Sequence, residues 1–407
     1  MYRLAFLTLL AAALLVAQPY DLVLKGGHVI DPKNNIDRVL DVAISKGKVA
    51  RVGANLQGIR NVDVSGLYVT PGLIDLHVHV YLWKQAGGEA VQPDAFSFRS
   101  GVTTMVDAGS AGAKTFDDFR DRILKHAKTR MFAFLNIVGA GMGTGREDIP
   151  AELDPDAAIR VAKANPEWIV GFKSAHYNGP GWESVGGAVK AGEATKLPVM
   201  VDFGRLNATR SLNALLLDKL RPGDIYTHCY SGHRTELGED GKLNPTMQAG
   251  RKRGIIFDLG HGAGSFYWYV AVPAYQAGFV PDSISTDLHV NSMNGGMKDM
   301  ANTMSKLLNL GSSLADVIRM STWNPAKEIQ RPQLGNLDVG ADADIAVLRL
   351  ERGQFGFLDS AGARRAGDQL LSAELTLRAG KVVWDRNGRA ADDWEKFPYQ
   401  KRAWNQK

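Results

Sequence analysis

The chain has 407 residues, of which 45% are hydrophobic and 22% are charged, and its formal net charge at pH 7 is +5. These values are typical of a globular protein with one large and one smaller domain, and they exclude a disordered or low-complexity chain. Because basic residues are scattered, with residues 251–253 as the densest run, we expect no nucleic-acid partner. The single cysteine, Cys229, excludes an intrachain disulfide.

Residues 1–19 predict a secretory signal peptide. Arg3 precedes an uncharged apolar stretch over residues 4–17, which is too short for a comfortable bilayer span. We therefore expect a secreted or periplasmic protein with no membrane contact beyond export, and we leave this segment out of the fold. An uncleaved membrane tether is the alternative.

Segments rich in β-formers at both chain ends predict one small domain. Residues 20–69 contain short runs such as "DVAISKGKVARVG", in which Lys-Gly and similar pairs mark the corners of an antiparallel meander. The same texture returns near the other end in "AELTLRAGKVVWDRNG". We expect residues 20–69 and 332–407 to form a discontinuous β-sandwich domain.

Residues 70–331 have a different rhythm, in which strand-like apolar runs alternate with helix-like stretches. Eight such runs occur, from "LIDLHVHV" through "WIVGFKSAH" to "SISTDLH". Strand–helix alternation predicts a parallel sheet, and eight units over about 250 residues is the size of a (β/α)8 TIM barrel, an α/β fold. Active sites in this fold lie at the carboxyl ends of the strands.

The first run, "LIDLHVHV", places Asp75, His77 and His79 at alternate positions. Side chains alternate between the two faces of a strand, so all three project to the same side. Burying three polar groups is costly unless a metal or a hydrogen-bond network compensates them. This run therefore predicts a metal site, a polar network, or both.

The later runs carry further polar side chains near their carboxyl ends. They are Lys173, Asp202, His228, His261 and Asp287. A lone histidine on an apolar strand is usually a satisfied core residue, but a barrel brings equivalent positions of different strands together. Imidazole and carboxylate together suit zinc or a similar divalent ion.

The motifs "PGLIDLHVH" and "STWNPAKEIQ…LGNLDVGADADIAVL", together with these strand ends, resemble the amidohydrolase superfamily of metal-dependent hydrolases. The resemblance covers nearly all of the chain after residue 19. Within the superfamily, "GFKSAH", "GDIYTHCYSG" and "FDLGHG" are most similar to the deacetylase and dihydroorotase-like branch.

The resemblance implies a role for each ligand. His77, His79 and Asp287 would bind the more buried zinc or similar ion, and His228 would bind a second ion. Lys173 matches the lysine that such enzymes convert with carbon dioxide into a carbamate bridging two metals. The alternative for Lys173, a surface lysine, fits poorly with its place in an apolar run.

The chain departs from the family at Asp202. Members usually present a histidine at the end of the fifth strand, whereas this chain has "VMVDFG". A carboxylate also binds zinc, so Asp202 is a candidate ligand for a second ion. The alternatives are a weak, different or absent second ion, and a carboxylate that merely pairs with Arg205 or another nearby base.

The implied reaction is hydrolysis of a carbon–nitrogen bond, other than a peptide bond, in an amide, an N-acyl amino acid or a cyclic imide or ureide. One or two ions would activate water and polarise the carbonyl, while Asp287 acts as general base and then general acid. Tyr177 or His261 would help to stabilise the oxyanion, and Asp75 would orient a ligand.

Two other functions stay open at this point. One is an esterase or deacetylase acting on acylated hydroxy acids with the same site, and the other is a non-catalytic scaffold of the same fold. We expect a small-molecule substrate as the partner, and the sequence leaves a homo-oligomer open.

Overall fold

The computed structural model describes residues 19–81, 90–202, 204, 206 and 209–399. Of the predicted features, the signal peptide up to residue 18 and Arg205 lie outside the described residues. The strands are β1 (Tyr20–Asp31), β2 (Ile36–Ser45), β3 (Lys48–Gly53), β4 (Gly58–Asp63), β5 (Tyr68–Pro71), β6 (Leu73–Val78), β7 (Val102–Gly112), β8 (Arg130–Asn136), β9 (Ile169–Ala175), β10 (Val199–Asp202), β11 (Ile225–Tyr226), β12 (Ile256–Phe257), β13 (Ile345–Leu358), β14 (Arg364–Arg378) and β15 (Lys381–Asp385).

The helices are α1 (Pro93–Phe96), α2 (Phe116–Phe119), α3 (Pro155–Ala164), α4 (Glu183–Thr195), α5 (Leu212–Ala214), α6 (Pro245–Lys252), α7 (Trp268–Gln276), α8 (Val290–Asn294), α9 (Met300–Leu308), α10 (Leu314–Ser321) and α11 (Trp323–Glu328). Their starts follow local chemistry: Asp154 accepts a hydrogen bond from the Ala157 amide ahead of α3, and Pro155 occupies the first helical position. None of the described helices has the length and hydrophobicity needed to span a bilayer.

Strands from both ends of the chain form an eight-stranded mixed sheet in the order β15-β14-β13-β5-β1-β2-β3, with β4 also paired to β1. The β2–β3 hairpin turns on Lys46 and Gly47, whose φ angles of 51° and 76° are both positive. Two such residues make the turn that matches the twist of a hairpin, and a glycine adopts it at little cost.

The predicted antiparallel meander over residues 20–69 is wrong in part. β1 pairs with β2, and β2 with β3, in antiparallel fashion, but β4 and β5 both pair with β1 in parallel. The chain after β3 returns to the other edge of β1 instead of adding beside β3. Alternation in the sequence fixes which side chains share a face, not which edge a strand joins.

A second sheet is parallel and curled, with seven strands in the order β12-β11-β10-β9-β8-β7-β6. All of its strands coincide with predicted strand-like runs, and helices lie between successive strands, as parallel connections require. β7 is buried along its whole length, which is typical of a strand covered on both faces.

The eighth predicted run lies between the two edges of this sheet. A parallel bridge joins Ser283 to Asp258 beyond β12, and another joins Leu288 to Val78 of β6. The amide of His79 donates to the carbonyl of Leu288 at 2.9 Å. The segment 283–288 therefore brings Asp287 next to the end of β6.

Clusters of buried apolar side chains stabilise both sheets. Leu24, Val42, Ile345 and Leu375 are among the buried residues of the mixed sheet. The parallel sheet packs against its helices through a larger cluster that includes Phe172. Burial of these apolar side chains is the main stabilising contribution to both layers.

Candidate metal centre

Six predicted ligands lie at the carboxyl ends of the parallel strands or in the segment 283–288. They are His77, His79, Lys173, Asp202, His228 and Asp287. All are buried except Asp287, which is partly buried, with a side chain 13% exposed. Parallel strands end at one edge of their sheet, so residues far apart in sequence meet there.

Asp287 is the centre of the cluster. Its Oδ1 atom lies 3.0 Å from Nε2 of His79 and 3.5 Å from Nε2 of His77. Within the described residues, one group of potential ligands emerges, in which the donor atoms of His77, His228 and Asp287 all lie within 4.8 Å of one another. Two imidazoles and a carboxylate at this spacing fit a divalent ion of the zinc type.

Hydrogen bonds from behind fix the orientation of His77. The buried carboxylate of Asp258 accepts hydrogen bonds from the hydroxyls of Thr227, Ser283 and Ser285, at 2.7, 2.9 and 2.6 Å. Because Thr227 donates its proton to Asp258, its oxygen accepts from Nδ1 of His77, 3.1 Å away. Neutral His77 therefore turns the lone pair of Nε2 toward the cluster, as a metal ligand must.

The other two histidines are held in the same way. Nδ1 of His228 donates to the carbonyl of Gly260 at 2.6 Å, which leaves the lone pair on Nε2. Nδ1 of His79 lies 3.0 Å from the hydroxyl of Ser110, and its Nε2 faces Asp287. All three rings thus present Nε2 to one space.

The backbone is strained at two of the predicted metal ligands. His228 and Asp287 have φ angles of 64° and 50°, in the left-handed region that side chains other than glycine rarely adopt. Gly262 packs so closely that an added Cβ would lie 2.4 Å from Oδ2 of Asp287. Any larger residue at this position would displace the carboxylate.

Asp287 is ionised in this setting. Burial alone would raise its pKa, but the surrounding side chains of His77, His79 and His228 outweigh burial and hold the pKa well below its usual range. The carboxylate is therefore available as a ligand and as a proton acceptor.

Lys173 of β9 is fully buried beside His77. Its Nζ lies 3.1 Å from Nε2 of His77 and 3.7 Å from the sulfur of Met200. Burial lowers the pKa of Lys173 below its ordinary value, because a charged amine is costly away from water. The lysine is thus a buried amine at the cluster and not a surface residue.

Asp202 differs from the other predicted ligands, because it is paired with an arginine. Arg234 donates from Nη2 to Oδ1 of Asp202. Oδ2 lies 3.3 Å from Nε2 of His228 and 3.3 Å from Nε2 of His176. Burial raises the pKa of Asp202, but Arg234 and His228 outweigh it and hold the pKa well below its usual range. The partner is Arg234, which is one of the nearby bases that the alternative allowed.

Asp75 contacts the backbone beside the ligands. It accepts hydrogen bonds from the amide and hydroxyl of Thr286, at 3.0 and 2.5 Å, and from the amide of His77 at 3.3 Å. Burial raises its pKa to about 7. Asp75 therefore holds the residue before Asp287 against β6, and orients the ligands through the main chain.

Tyr177, a predicted oxyanion donor, contacts a carboxylate next to the cluster. Its hydroxyl donates to the carboxylate of Glu183 at 2.7 Å, and Glu183 begins helix α4. Burial and Glu183 raise the pKa of Tyr177 to about 12. The phenolic proton is engaged with a carboxylate outside the cluster, and the role of Tyr177 as an oxyanion donor stays a prediction.

His261, the other predicted oxyanion donor, contacts Lys306 and the main chain. Its Nε2 lies 2.5 Å from Nζ of Lys306, and its Nδ1 lies 2.9 Å from the carbonyl of Gly262. The ring stacks on Phe266 with 4.6 Å between centroids. Both nitrogens have polar neighbours in this structure, and the catalytic role of His261 stays a prediction.

The sequence did not predict the contacts that four residues make at the site. Thr227 and Asp258 hold His77, while His176 and Arg234 contact Asp202. His176 follows directly after β9, and this strand-end position was the available signal. Arg234 lies in the loop after β11, where spacing gives no indication of its partner.

The sequence of the chain is similar to those of known proteins. Residues 269–373 match the profile of the amidohydrolase family. The chain is 35% identical over 340 residues to a deacetylase of Brucella anthropi, covering 80% of this chain and 83% of that protein. It is 30% identical to a deacetylase of Enterococcus faecalis over 378 residues, covering 89% and 99% of the two chains.

Solved structures are similar over most of the chain as well. An adenine deaminase structure superposes with a TM-score of 0.82 at 28% identity, covering 90% of this chain and all of that one. A dihydroorotase structure gives a TM-score of 0.78 at 31% identity, covering 89% of this chain and 99% of the other.

Proposed function

The chain belongs to the amidohydrolase superfamily, and we propose that it hydrolyses a carbon–nitrogen bond of a small N-acyl or cyclic amide at the centre around Asp287. It is a metal-dependent hydrolase, as its similarity to deacetylases and a dihydroorotase supports. The names of these relatives favour N-acyl amino acids and cyclic ureides as the first compounds to test. Acylated hydroxy acids are the second class, because ester cleavage needs the same groups.

The convergence of His77, His79 and Asp287 on one point is the observation that carries this proposal. We propose zinc as the ion, held by these three residues with His228 facing the same space. When bound there, the ion lowers the pKa of water and polarises the scissile carbonyl. The histidines contribute by presenting unprotonated Nε2 atoms, which their hydrogen bonds to Thr227, Ser110 and Gly260 secure.

Asp287 moves the proton. As a carboxylate beside the histidines, it accepts a proton from the attacking water as the oxygen bonds to the carbonyl carbon. The same carboxyl then donates that proton to the leaving nitrogen as the carbon–nitrogen bond breaks. The water is consumed, and the products are a carboxylic acid and an amine.

We propose that Lys173 carries a carbamate. Its burial favours the neutral amine, whose lone pair attacks the carbon of carbon dioxide and which then loses a proton. The product is an anion with two oxygen donors, placed beside His77. A neutral amine among ligands would bind a divalent ion poorly, whereas the carbamate would bind it well.

The rest of the architecture is proposed on the same basis. The segment 283–288 bridges both edges of the parallel sheet, which supports a closed (β/α)8 barrel over residues 70–331. The shared mixed sheet supports a β-sandwich domain from residues 20–69 and 332–407. The apolar run near the start supports a signal peptide over residues 1–19 and a periplasmic or secreted location.

A hydrolysis screen tests the function. Zinc-loaded protein is assayed against N-acetylated D- and L-amino acids, cyclic ureides and acylated hydroxy acids. We expect turnover of at least one amide class, and we expect Asp287→Asn to lower kcat by about 10²–10⁴-fold, since it cannot accept the proton.

Asp282→Asn is the matched control, because Asp282 precedes the same segment and its carboxylate bonds the Phe257 amide away from the cluster. We expect this variant to keep its activity. Absence of turnover in every class, or wild-type rates in Asp287→Asn, would contradict the proposal. Turnover of the acylated hydroxy acids alone would assign the chain to the esterase alternative.

A further inference from the structure

We propose that the centre holds a single divalent ion, and that the buried ion pair of Asp202 and Arg234 occupies the place of a second one. This inference rests on the proposed function, because it concerns the number of ions at the same centre. It is carried by the contacts of three side chains, namely Asp202, Arg234 and His228.

Arg234 is held firmly against Asp202. Both side chains are buried, with 6% and 7% of their surface exposed. The guanidinium donates from Nη2 to Asp202 and from Nη1 to the hydroxyl of Ser231 at 3.2 Å. The Arg234 amide donates to the buried carboxylate of Glu236 at 2.9 Å, so the main chain is fixed as well.

The carboxylate of Asp202 has close neighbours at both oxygens. Oδ1 accepts from Arg234, and Oδ2 lies 3.3 Å from Nε2 of both His228 and His176. A guanidinium does not lose its proton in proteins, so Arg234 cannot become neutral to release Asp202. A divalent ion entering here would be close to a fixed positive charge, and the repulsion is strong in a buried site.

The arrangement of donors also favours one ion. His228 shares a group with His77 and Asp287, with all three donor atoms within 4.8 Å of one another, and Asp202 is not a member of it. The residue that would otherwise serve a second ion therefore faces the first. Arg234 in turn balances the negative charge of Asp202, as a second cation would.

The charge of Asp202 is balanced by Arg234. Removing Arg234 leaves a buried carboxylate without its partner, which is strongly unfavourable unless another cation replaces it. Arg234→Met keeps an unbranched apolar stem and removes the charged guanidinium. The variant therefore opens Asp202 and His228 to a second ion.

Bound zinc per chain tests this. Chelator-treated protein is reloaded with excess zinc in bicarbonate buffer, freed of loose metal by gel filtration, and analysed by mass spectrometry of the elements. We expect about one equivalent in the wild type and about two in Arg234→Met. Asp202→Asn should stay at about one equivalent, since Asp202 is not a ligand.

Arg251→Met is the matched control, because it removes another arginine–carboxylate contact, 3.4 Å to Asp282, outside the cluster. It should bind as much zinc as the wild type. Two equivalents of zinc in the wild type would overturn this inference alone. A wild type that binds no zinc would overturn the metal centre itself. If the Arg234→Met variant folds and still binds one equivalent of zinc, the single-ion inference would also be overturned. If that variant does not fold, zinc X-ray absorption of the wild type decides, with zinc–zinc scattering as the contradicting result.

Discussion

Asp258 shapes the centre without contacting Asp287. Its carboxylate is fully buried and gathers three hydroxyl donors, one of which, Thr227, passes the interaction on to His77. Burial raises the pKa of Asp258, and these hydrogen bonds oppose the rise. The residue is a buried acceptor that determines which nitrogen of His77 carries its proton.

Thr227→Val tests this relay. Valine has nearly the same shape, but it neither accepts from Nδ1 of His77 nor donates to Asp258. We expect zinc affinity to fall by about 10–100-fold, as for other groups that orient a metal-bound histidine. Competition with a chromophoric chelator measures the affinity.

Thr376→Val is the control for Thr227→Val, because Thr376 is a buried threonine of β14 whose hydroxyl donates to the carbonyl of Phe98. It should lose stability without losing zinc affinity. Equal zinc affinities in wild type and Thr227→Val would show that Asp258 does not orient His77.

Most of what the sequence predicts about the site comes from two properties of β-strands: the alternation of side chains along a strand and the common edge at which parallel strands end. Alternation placed His77 and His79 on one face, and parallel strands put Lys173, His228 and Asp287 at the same edge. The rest could not be predicted, because it depends on contacts between loops. Arg234 reaches Asp202 from a loop, and β4 and β5 join β1 in parallel.

Helix α9 contains a buried amine that makes stability depend on pH. Nζ of Lys306 lies 2.5 Å from His261 and 2.7 Å from the carbonyl of Gly296. Burial, with a smaller effect of Lys298, lowers its pKa from 10.5 to about 7. Between these two values the unfolded chain binds a proton that the folded chain does not.

The unfolding free energy should therefore rise with pH between about 7 and 10.5, with this lysine contributing up to about 1.4 kcal/mol per pH unit. Lys306→Met removes that contribution. Urea denaturation at several pH values in this window, compared between wild type and variant, measures the difference in slope. Lys252→Met, at an exposed position of α6, should keep the wild-type slope. The same slope in Lys306→Met as in the wild type would show that the amine stays charged in the fold.

The two sheets of the chain have different roles. The mixed sheet joins both chain ends, and the parallel sheet positions the ligands. The reaction type follows from the ligands, which lie on strand ends. The substrate does not, because loops after the strands select it and their composition names no chemical group.

The dependence of hydrolysis on zinc tests the proposed mechanism as a whole. Chelator-treated wild-type protein is titrated with zinc in bicarbonate buffer, and the rate on the best substrate of the screen is followed. The rate should be negligible without zinc, rise in proportion to the metal added and level off at about one equivalent per chain. Full activity of the metal-free protein would contradict a metal centre built by His77, His79 and Asp287.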